Sequence, residues 1–167
     1  AAEASTRVGP DGAAGSMNTQ PRAENPFRFH TRLHLSELTG LRAATIAQLL
    51  EHLRRVPGSC IYHHTHRYLQ QHQYLSPEPP NDFAHWVASE LGDEELGEKL
   101  ASIDTVRFPT IRRLRNRIIG VIEAHIEGNP SARRRFAESG GEFHFIKSIS
   151  FVIPTKHVAW DLAEFAR

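Results

Sequence analysis

The stretch Ser59–Trp86 reads SCIYHHTHRYLQQHQYLSPEPPNDFAHW, and it concentrates the unusual chemistry of the chain. It holds five of the eleven histidines, all three tyrosines and the one cysteine. The proline-rich elbow Ser76–Pro80 divides it, so we predict one helix from about Cys60 to Leu75 and a second over Phe83–Leu91. If the elbow folds these helices together, their imidazole and phenol groups converge, and we expect the functional site there.

Amphipathic segments flank this stretch on both sides. Phe27–Leu35 and Phe143–Ile153 alternate apolar and polar residues, which predicts two strands, each with one buried face. Apolar residues at helical spacing predict further helices at Leu41–Arg55, Asp93–Ser102, Thr110–Glu127, Ser131–Glu138 and Lys156–Phe165. The predicted fold is therefore α+β and predominantly helical, with about six helices and two amphipathic strands forming a small sheet.

The composition is that of an ordinary globular protein, with 40% hydrophobic and 23% charged residues. A net charge of +1 lacks the positive excess typical of nucleic-acid-binding proteins, so we expect no nucleic-acid partner. No apolar run approaches the roughly 18–20 residues of a membrane span, so we expect no membrane partner either. A single cysteine excludes an intramolecular disulfide and favours a reducing, cytoplasmic location.

Three regions follow from the order of these segments. Residues 1–26 are rich in small and polar residues and are interpreted as disordered, with 1–16 ending in a junction of the kind an expression vector leaves. Residues 27–138 form a helical, histidine-rich repeat unit. Residues 139–167 begin a second, incomplete unit, because an offset of 116 residues aligns the two segments without a gap. The identical pairs are Phe27 and Phe143, Phe29 and Phe145, Thr39 and Thr155, Ala43 and Ala159, and Ala47 and Ala163.

Several motifs carry a resemblance to a known family. They are F-R-F-H-T-R from Phe27, S-C-I-Y-H-H-T-H-R-Y-L-Q-Q-H from Ser59, S-P-E-P-P-N-D-F-A-H-W-V from Ser76 and K-L-A-S-I-D from Lys99. Together they resemble an uncharacterised bacterial family known as a domain of unknown function. F-H-F-I-K-S from Phe143 is similar to the start of that family's second unit. The resemblance implies a cytoplasmic bacterial protein and brings no established activity or catalytic residues with it.

A metal site is one hypothesis for the histidine-rich helix. His63 and His66 lie three residues apart and could together bind a divalent transition metal ion. The other ligands would come from the elbow and the second helix: His85 or Glu78, then Asp82 or Glu90. The chain contains no His-Glu-x-x-His motif, so the same histidines could equally cap helices, form hydrogen bonds or face solvent.

A ligand pocket is the second hypothesis for this stretch. The mixture of donors and aromatic rings could orient an anionic small molecule. The candidate binding residues are Tyr62, His63, His66, Arg67, Gln70, Asn81, Asp82 and His85. The alternative is that the tyrosines pack in the core and that Asn81-Asp82 caps a helix.

Three other features have simpler explanations. The predicted polar face of the first strand, with Arg28, His30, Arg32 and His34, could hold phosphate or make a pH-sensitive contact, but such faces are usually solvated. Cys60 near a helix N-terminus could be a nucleophile, but a buried, inert thiol explains it better. The arginine-rich segments later in the chain are balanced by acidic neighbours.

The function expected from the sequence is a cytoplasmic, non-catalytic ligand-binding or regulatory module. It would self-associate or bind a protein partner, since an incomplete second unit leaves apolar surface uncovered. The alternative is a metal-binding protein or metal-dependent enzyme that uses His63, His66 and His85. Whether the chain is an enzyme is left open by the sequence.

Overall fold

The computed structural model of the chain describes residues 21–72 and 81–166. Within them the fold is α+β and predominantly helical, with one two-stranded antiparallel sheet, which confirms the predicted fold class. The predicted elbow Ser76–Pro80, including the candidate ligand Glu78, lies outside the described residues. So do residues 1–20, which make up most of the segment predicted as disordered.

The sheet consists of strands β1 (Phe27–Ala43) and β2 (Phe143–Ala159), each 17 residues long. Both strands extend beyond the predicted ends, into segments where the sequence suggested the start of a helix. Thr39 Oγ1 explains this in β1, because it donates to the carbonyl oxygen of Phe145 at 2.8 Å and so prolongs the contact between the strands. Gly40 follows with φ of +79°, a left-handed conformation that glycine adopts without steric cost.

The helices follow the order of the sequence prediction, with different bounds. They are α1 (Ile46–Arg55), α2 (Gly58–Tyr62), a π-helical turn (His63–Arg67), α3 (Tyr68–His72), α4 (Asp82–Ser89), α5 (Glu94–Ala101), a 3-10 turn (Thr105–Arg107), α6 (Ile111–Gly128), a second 3-10 turn (Pro130–Arg134) and α7 (Leu162–Phe165). The longest helix, α6, agrees closely with its prediction. The helix predicted at Ser131–Glu138 is instead the second 3-10 turn, and α7 is shorter than predicted because β2 continues to Ala159.

Polar side chains fix the starts of the helices. Thr45 accepts from the backbone N–H of Gln48 at α1, and Thr110 accepts from that of Arg113 at α6. Asn81 accepts from the backbone N–H of Ala84, so Asn81 rather than Asp82 is the cap of α4. These side chains satisfy N–H groups that have no partner within the helix.

The described chain divides into two compact units. The helical unit is Arg32–Phe151, and the terminal unit comprises the described parts of 1–31 and 152–167. The helical unit holds the apolar core, in which α1 packs against α6 and α4 packs against α5. Its largest fully buried apolar side chains are Ile46, Leu49, Leu53, Ile61, Phe83, Val87, Leu96, Leu100, Leu114, Ile122 and Phe145.

The terminal unit contains residues 21–31, which include the start of β1, and residues 152–166, which include the end of β2 and α7. Ala23 donates its backbone N–H to the carbonyl oxygen of Trp160 at 2.7 Å. The Arg22 guanidinium lies over the Trp160 ring at 5.3 Å from its centroid. The last part of the segment predicted as disordered is thus held against this unit by a hydrogen bond and a cation–π contact.

The two strands do not bury a continuous apolar face. Phe143 and Phe145 lie in the core of the helical unit, but Leu33 and Leu35 are each 46% exposed. Side chains alternate between the two faces of the sheet as the sequence predicted. The described helices cover the apolar face where Phe143 and Phe145 lie, but not where Leu33 and Leu35 lie. The prediction of one buried face along each strand was therefore wrong for Phe27, Leu33 and Leu35 of β1. It was also wrong for Phe151 and Ile153 of β2. Among the described helices, none is long and apolar enough to cross a membrane.

Candidate functional site

The histidine-rich stretch forms one helical run that is wider in its middle. At the π-helical turn His63–Arg67, the N–H of Tyr68 bonds to the carbonyl oxygen of His63, five residues earlier. The extra residue in the turn lets consecutive side chains face the core, so His63, His64 and Thr65 are all buried. Turns of this kind occur often at functional sites. The hydrogen-bond partners of the histidine rings decide whether this turn forms such a site.

His64 is fully hydrogen-bonded. Its Nε2 accepts the backbone N–H of Ile146 at 2.9 Å, which requires that the ring proton sits on Nδ1. Nδ1 donates that proton to Asp82 Oδ2 at 2.6 Å. The ring also packs on Phe143, with centroids 4.6 Å apart. Hydrogen bonds from His64 therefore connect the π-helical turn to α4 and β2, and both ring nitrogens have a partner.

His63 also has a structural partner. Its Nδ1 lies 3.0 Å from Ser148 Oγ on β2. Burial, and secondly the neighbouring His64, lower the pKa of His63 to about 4. Arg67 lowers that pKa further, whereas the carboxylate of Asp82 raises it. His63 is thus a neutral, buried ring at physiological pH.

His66 is oriented by its own helix. Thr65 Oγ1 donates to the carbonyl oxygen of Ile61 at 2.6 Å, so it accepts from His66 Nδ1 at 3.0 Å. Tyr62 stacks on the His66 ring at 5.4 Å, with 11° between the planes. Burial lowers the pKa of His66. This ring is half-buried and neutral.

The remaining predicted ligand-binding residues are distributed over different environments. Asn81 is buried, and its amide donates to the carbonyl oxygen of Leu100 at 3.0 Å in addition to capping α4. Arg67 is half-buried and Gln70 is exposed. His85 is exposed on α4 and lines a cleft together with Asp82. Of the eight predicted residues, these last two are the ones that line that cleft.

The α4–β2 cleft lies in the helical unit, and most of the residues that line it are polar. It has a volume of about 250 Å³. Trp86 and Phe143 form its apolar wall, and the Trp86 ring is fixed because Nε1 donates to the carbonyl oxygen of Gly141 at 2.7 Å. The other polar side chains on its lining are His64, Asp82, His85, Ser89, Glu90, Glu142 and His144.

The charge of the α4–β2 cleft is set by three carboxylates, those of Asp82, Glu90 and Glu142. Backbone N–H groups, its own and that of Gly140, lower the pKa of Glu142 and favour its ionised form. The Glu90 carboxylate lies close to the backbone of Gly141, and a Cβ at that position would displace the end of the flexible Glu90 side chain. With neutral imidazoles the lining is negative, which suits a cationic group.

The geometry places the predicted metal ligands apart. His63 bonds to Ser148, His66 bonds to Thr65, and His85 lies on the exposed side of α4. Across residues 21–72 and 81–166, no three His, Cys, Asp or Glu side chains are grouped so that they could hold a metal ion.

Two further buried groups bear on the site hypotheses. Burial raises the pKa of the Cys60 thiol, which disfavours the thiolate that a nucleophile requires. His125 and Asp93 form a second buried pair, with Nε2 and Oδ2 3.0 Å apart, and sequence reasoning missed it. The available signal was that His125 falls beside the apolar stripe of α6, while Asp93 opens the preceding predicted helix.

Comparison with known proteins places this chain among proteins of the same fold. Residues 24–167 match a family described as "Family of unknown function (DUF5752)". The structure of OrfY from Thermoproteus tenax is similar, with a TM-score of 0.68 and 32% sequence identity over 87% of this chain. This chain spans 64% of the length of that OrfY chain. None of the curated proteins compared with the chain matches it.

The family match confirms the resemblance to a domain of unknown function. The fold is α+β and predominantly helical, and the chain belongs to the DUF5752 family of unknown function. The description of the family assigns no activity, so function has to be argued from the geometry of the side chains.

Proposed function

We propose that the chain is a cytoplasmic, non-catalytic interaction module that self-associates through the middle of its two strands. The observation that supports it is the exposure of apolar side chains on a two-stranded sheet. Leu33, Leu35 and Phe151 are each between 46% and 49% exposed. Among the described residues no third strand pairs with this sheet, so its outer edges are open to a second copy.

These three side chains share one face. His34 and Ser150 form a hydrogen bond of 2.9 Å across the strands, so both point to the same side. Because successive side chains in a strand alternate, the neighbours Leu33, Leu35 and Phe151 point to the other side. We call them the ribbon face. Burying such side chains contributes about 25 cal/mol per Å², which favours covering the face with another apolar surface.

The environment of the buried histidines supports a non-catalytic role. Both nitrogens of His64 are bonded within the fold, and His63 is held neutral in contact with Ser148. A general base must be free to take up a proton near the working pH. These rings instead connect the histidine helix, α4 and β2.

Oligomeric state tests the ribbon proposal. We expect light scattering after size exclusion to give a dimer or larger species for the unaltered chain, and a smaller species for Leu33→Ser with Leu35→Ser. Val106→Ser is the matched control, because Val106 is equally apolar, is exposed and lies outside both strands. A monomer at all concentrations, or equal masses for all three proteins, would contradict the proposal.

The α4–β2 cleft supports a second candidate function, the binding of a small cationic group. Its three carboxylates favour an ammonium or guanidinium over the anionic molecule that the sequence suggested. Trp86 adds an aromatic wall that attracts cations. Titration with arginine or a short polyamine, followed by NMR shifts of the Trp86 indole N–H, tests this. Glu142→Gln should weaken binding, and an unchanged affinity would argue against it.

The metal hypothesis is tested separately, since no grouping of ligands among the described residues favours it. Elemental analysis of protein prepared without a histidine tag would show near-stoichiometric metal if the chain were a metal carrier or a metal-dependent enzyme. Unaltered thermal stability in the presence of a chelator would argue against that function.

A further inference from the structure

The connection between strand and helix has the same hydrogen bonds in both units. In the helical unit, Thr45 caps α1 and Gln48 Oε1 accepts from the backbone N–H of Ala44 at 2.8 Å. In the terminal unit, Asp161 caps α7 and Glu164 Oε2 accepts from the backbone N–H of Trp160 at 2.9 Å. Each residue of the second set lies 116 positions after its counterpart.

The threonines at the same offset repeat a second pattern. Thr39 Oγ1 donates across the strands to the carbonyl oxygen of Phe145 and accepts from the backbone N–H of Leu41. Thr155 Oγ1 donates to the carbonyl oxygen of Phe29 and accepts from the backbone N–H of His157. Four side-chain contacts thus recur at one spacing, which supports treating the terminal unit as the start of a second copy of the helical unit.

Equivalent apolar positions differ in burial. Ile46 is 1% exposed and its counterpart Leu162 is 77% exposed. Leu49 is fully buried and its counterpart Phe165 is 49% exposed. Phe143 is 3% exposed, whereas Phe27, at the corresponding place in β1, is 55% exposed. The terminal unit presents the side chains of a core on its surface.

The helical unit shows what covers these positions in the first copy. Helix α6 packs against α1 with an apolar stripe at four-residue spacing, formed by Leu114, Ile118, Ile122 and Ile126. Two polar contacts also join α1 to α6. Arg54 bonds to Glu123 at 2.5 Å, and Arg115 donates to the carbonyl oxygen of Val56 at 2.6 Å. Helix α2 follows α1 after Val56 and Pro57.

The terminal unit has open apolar grooves on the equivalent surface. One groove of about 620 Å³ is lined by Phe27, Trp160, Leu162 and Phe165 among others. A second, of about 350 Å³, includes Phe29 and Val158. The rings of Phe27 and Phe29 both contact Phe165, at 5.0 and 5.4 Å between centroids. We call this surface, with Phe27, Phe29, Val158, Leu162 and Phe165, the α7 face.

We propose that the α7 face is the docking site of a second helical layer of the kind that α2–α6 form, connected to the end of α7 as α2 is connected to α1. An amphipathic helix with a leucine and isoleucine stripe like that of α6 lies against Leu162 and Phe165. The length of OrfY agrees with such a segment, because this chain spans 64% of that structurally similar protein. This inference is independent of the ribbon face and of the α4–β2 cleft.

The test extends the full chain with a repeat of its own residues 56–138 after residue 167. Hydrogen exchange of the α7 amides is measured with and without the extension. We expect at least about tenfold slower exchange at Phe165 and Ala166, which corresponds to about 1.4 kcal/mol of added local stability. The control carries Glu at the appended copies of Ile118 and Ile122 and should lose the protection. An extension that becomes helical by circular dichroism but leaves α7 exchange unchanged would overturn the proposal.

A second measurement does not depend on folding of the extension. A peptide covering residues 110–129 is added to the unaltered chain, and Trp160 fluorescence is followed, with Trp160→Phe to identify the signal. We expect a saturable change that Leu162→Glu removes and Val106→Glu retains. If α7 protection instead rises with the concentration of the unaltered chain and is lost in Leu162→Glu, a second copy covers the face and the proposal is wrong.

Discussion

The helical unit and the terminal unit contain the same strand–helix connection, but they bury it to different extents. Thr45 and Asp161 cap α1 and α7 in the same way. In both connections the residue before the cap donates its backbone N–H to a side chain four positions later, from Ala44 to Gln48 and from Trp160 to Glu164. Yet Ile46 lies in a core and Leu162 faces solvent. Local hydrogen bonds therefore form regardless of what packs outside them, whereas burial depends on helices distant in sequence.

Large-to-small substitution at equivalent positions gives the largest expected contrast. Ile46→Ala should lower the free energy of unfolding by about 2–5 kcal/mol, because it leaves a cavity in a close-packed core. Leu162→Ala should change it by less than about 0.5 kcal/mol, because the side chain is exposed. Urea denaturation followed by circular dichroism measures both. Equal losses would show that the α7 face is covered in solution.

Acidification should destabilise the helical unit through His63. Its folded pKa of about 4 lies below its ordinary value, so between pH 6.5 and 4 the unfolded chain binds the proton more readily. The stability conferred by the neutral ring is thus complete above pH 6.5 and is lost as the pH falls, by up to roughly 3 kcal/mol at about 1.4 kcal/mol per unit.

Denaturation curves across this pH range test the role of His63, with His63→Gln as the comparison. The substituted chain should show a shallower fall in stability, even if it is less stable at pH 7. Parallel curves for the two proteins would mean that His63 is not the group responsible.

The hydrogen bond between His64 and Asp82 should give an intermediate effect. Asp82→Ala leaves the buried Nδ1–H of His64 without its acceptor, which costs about 1–3 kcal/mol. Asp82→Asn retains an acceptor oxygen and should cost less. Thermal unfolding measures the difference, and equal losses for both variants would show that the acceptor is not what matters. In contrast, Ser150→Ala removes the partner of the histidine His34 on an exposed surface and should have little effect.

The helix caps should give the smallest and most local contrast. Thr45→Ala should cost about 1 kcal/mol of global stability, the typical value for a lost cap. Asp161→Ala removes an equivalent bond at α7, but it should raise local hydrogen exchange without shifting the global unfolding transition. A global loss of similar size in both variants would show that the two units unfold as one.

Sequence patterns predicted the helices better than they predicted the site. The apolar stripe of α6 and the cap at Asn81 follow from local periodicity and local hydrogen bonding, and both are present. The partners of His63 and His64, namely Ser148 and Ile146, lie more than eighty residues away in sequence. No local pattern could indicate that β2 supplies them, or that a π-helical turn directs both rings inward.

The strand patterns likewise predicted local structure but not burial. Alternation in Phe27–Leu35 correctly indicated a strand, but not which of its apolar side chains would be covered. Thr39 and Gly40 suggested a helix start, and the cross-strand bond of Thr39 to Phe145 extends the strand instead. A bond to a distant chain segment outweighed the local preference at that position.

By itself the sequence determined the fold class and the apolar stripe of α6, because these depend on side chains within a few positions of one another. Tertiary structure alone decided that His63 and His64 are buried and hydrogen-bonded, and that Ile46 is covered where Leu162 is not. Burial and desolvation are collective properties of packed segments, so the same local residues acquire different energies in the two units.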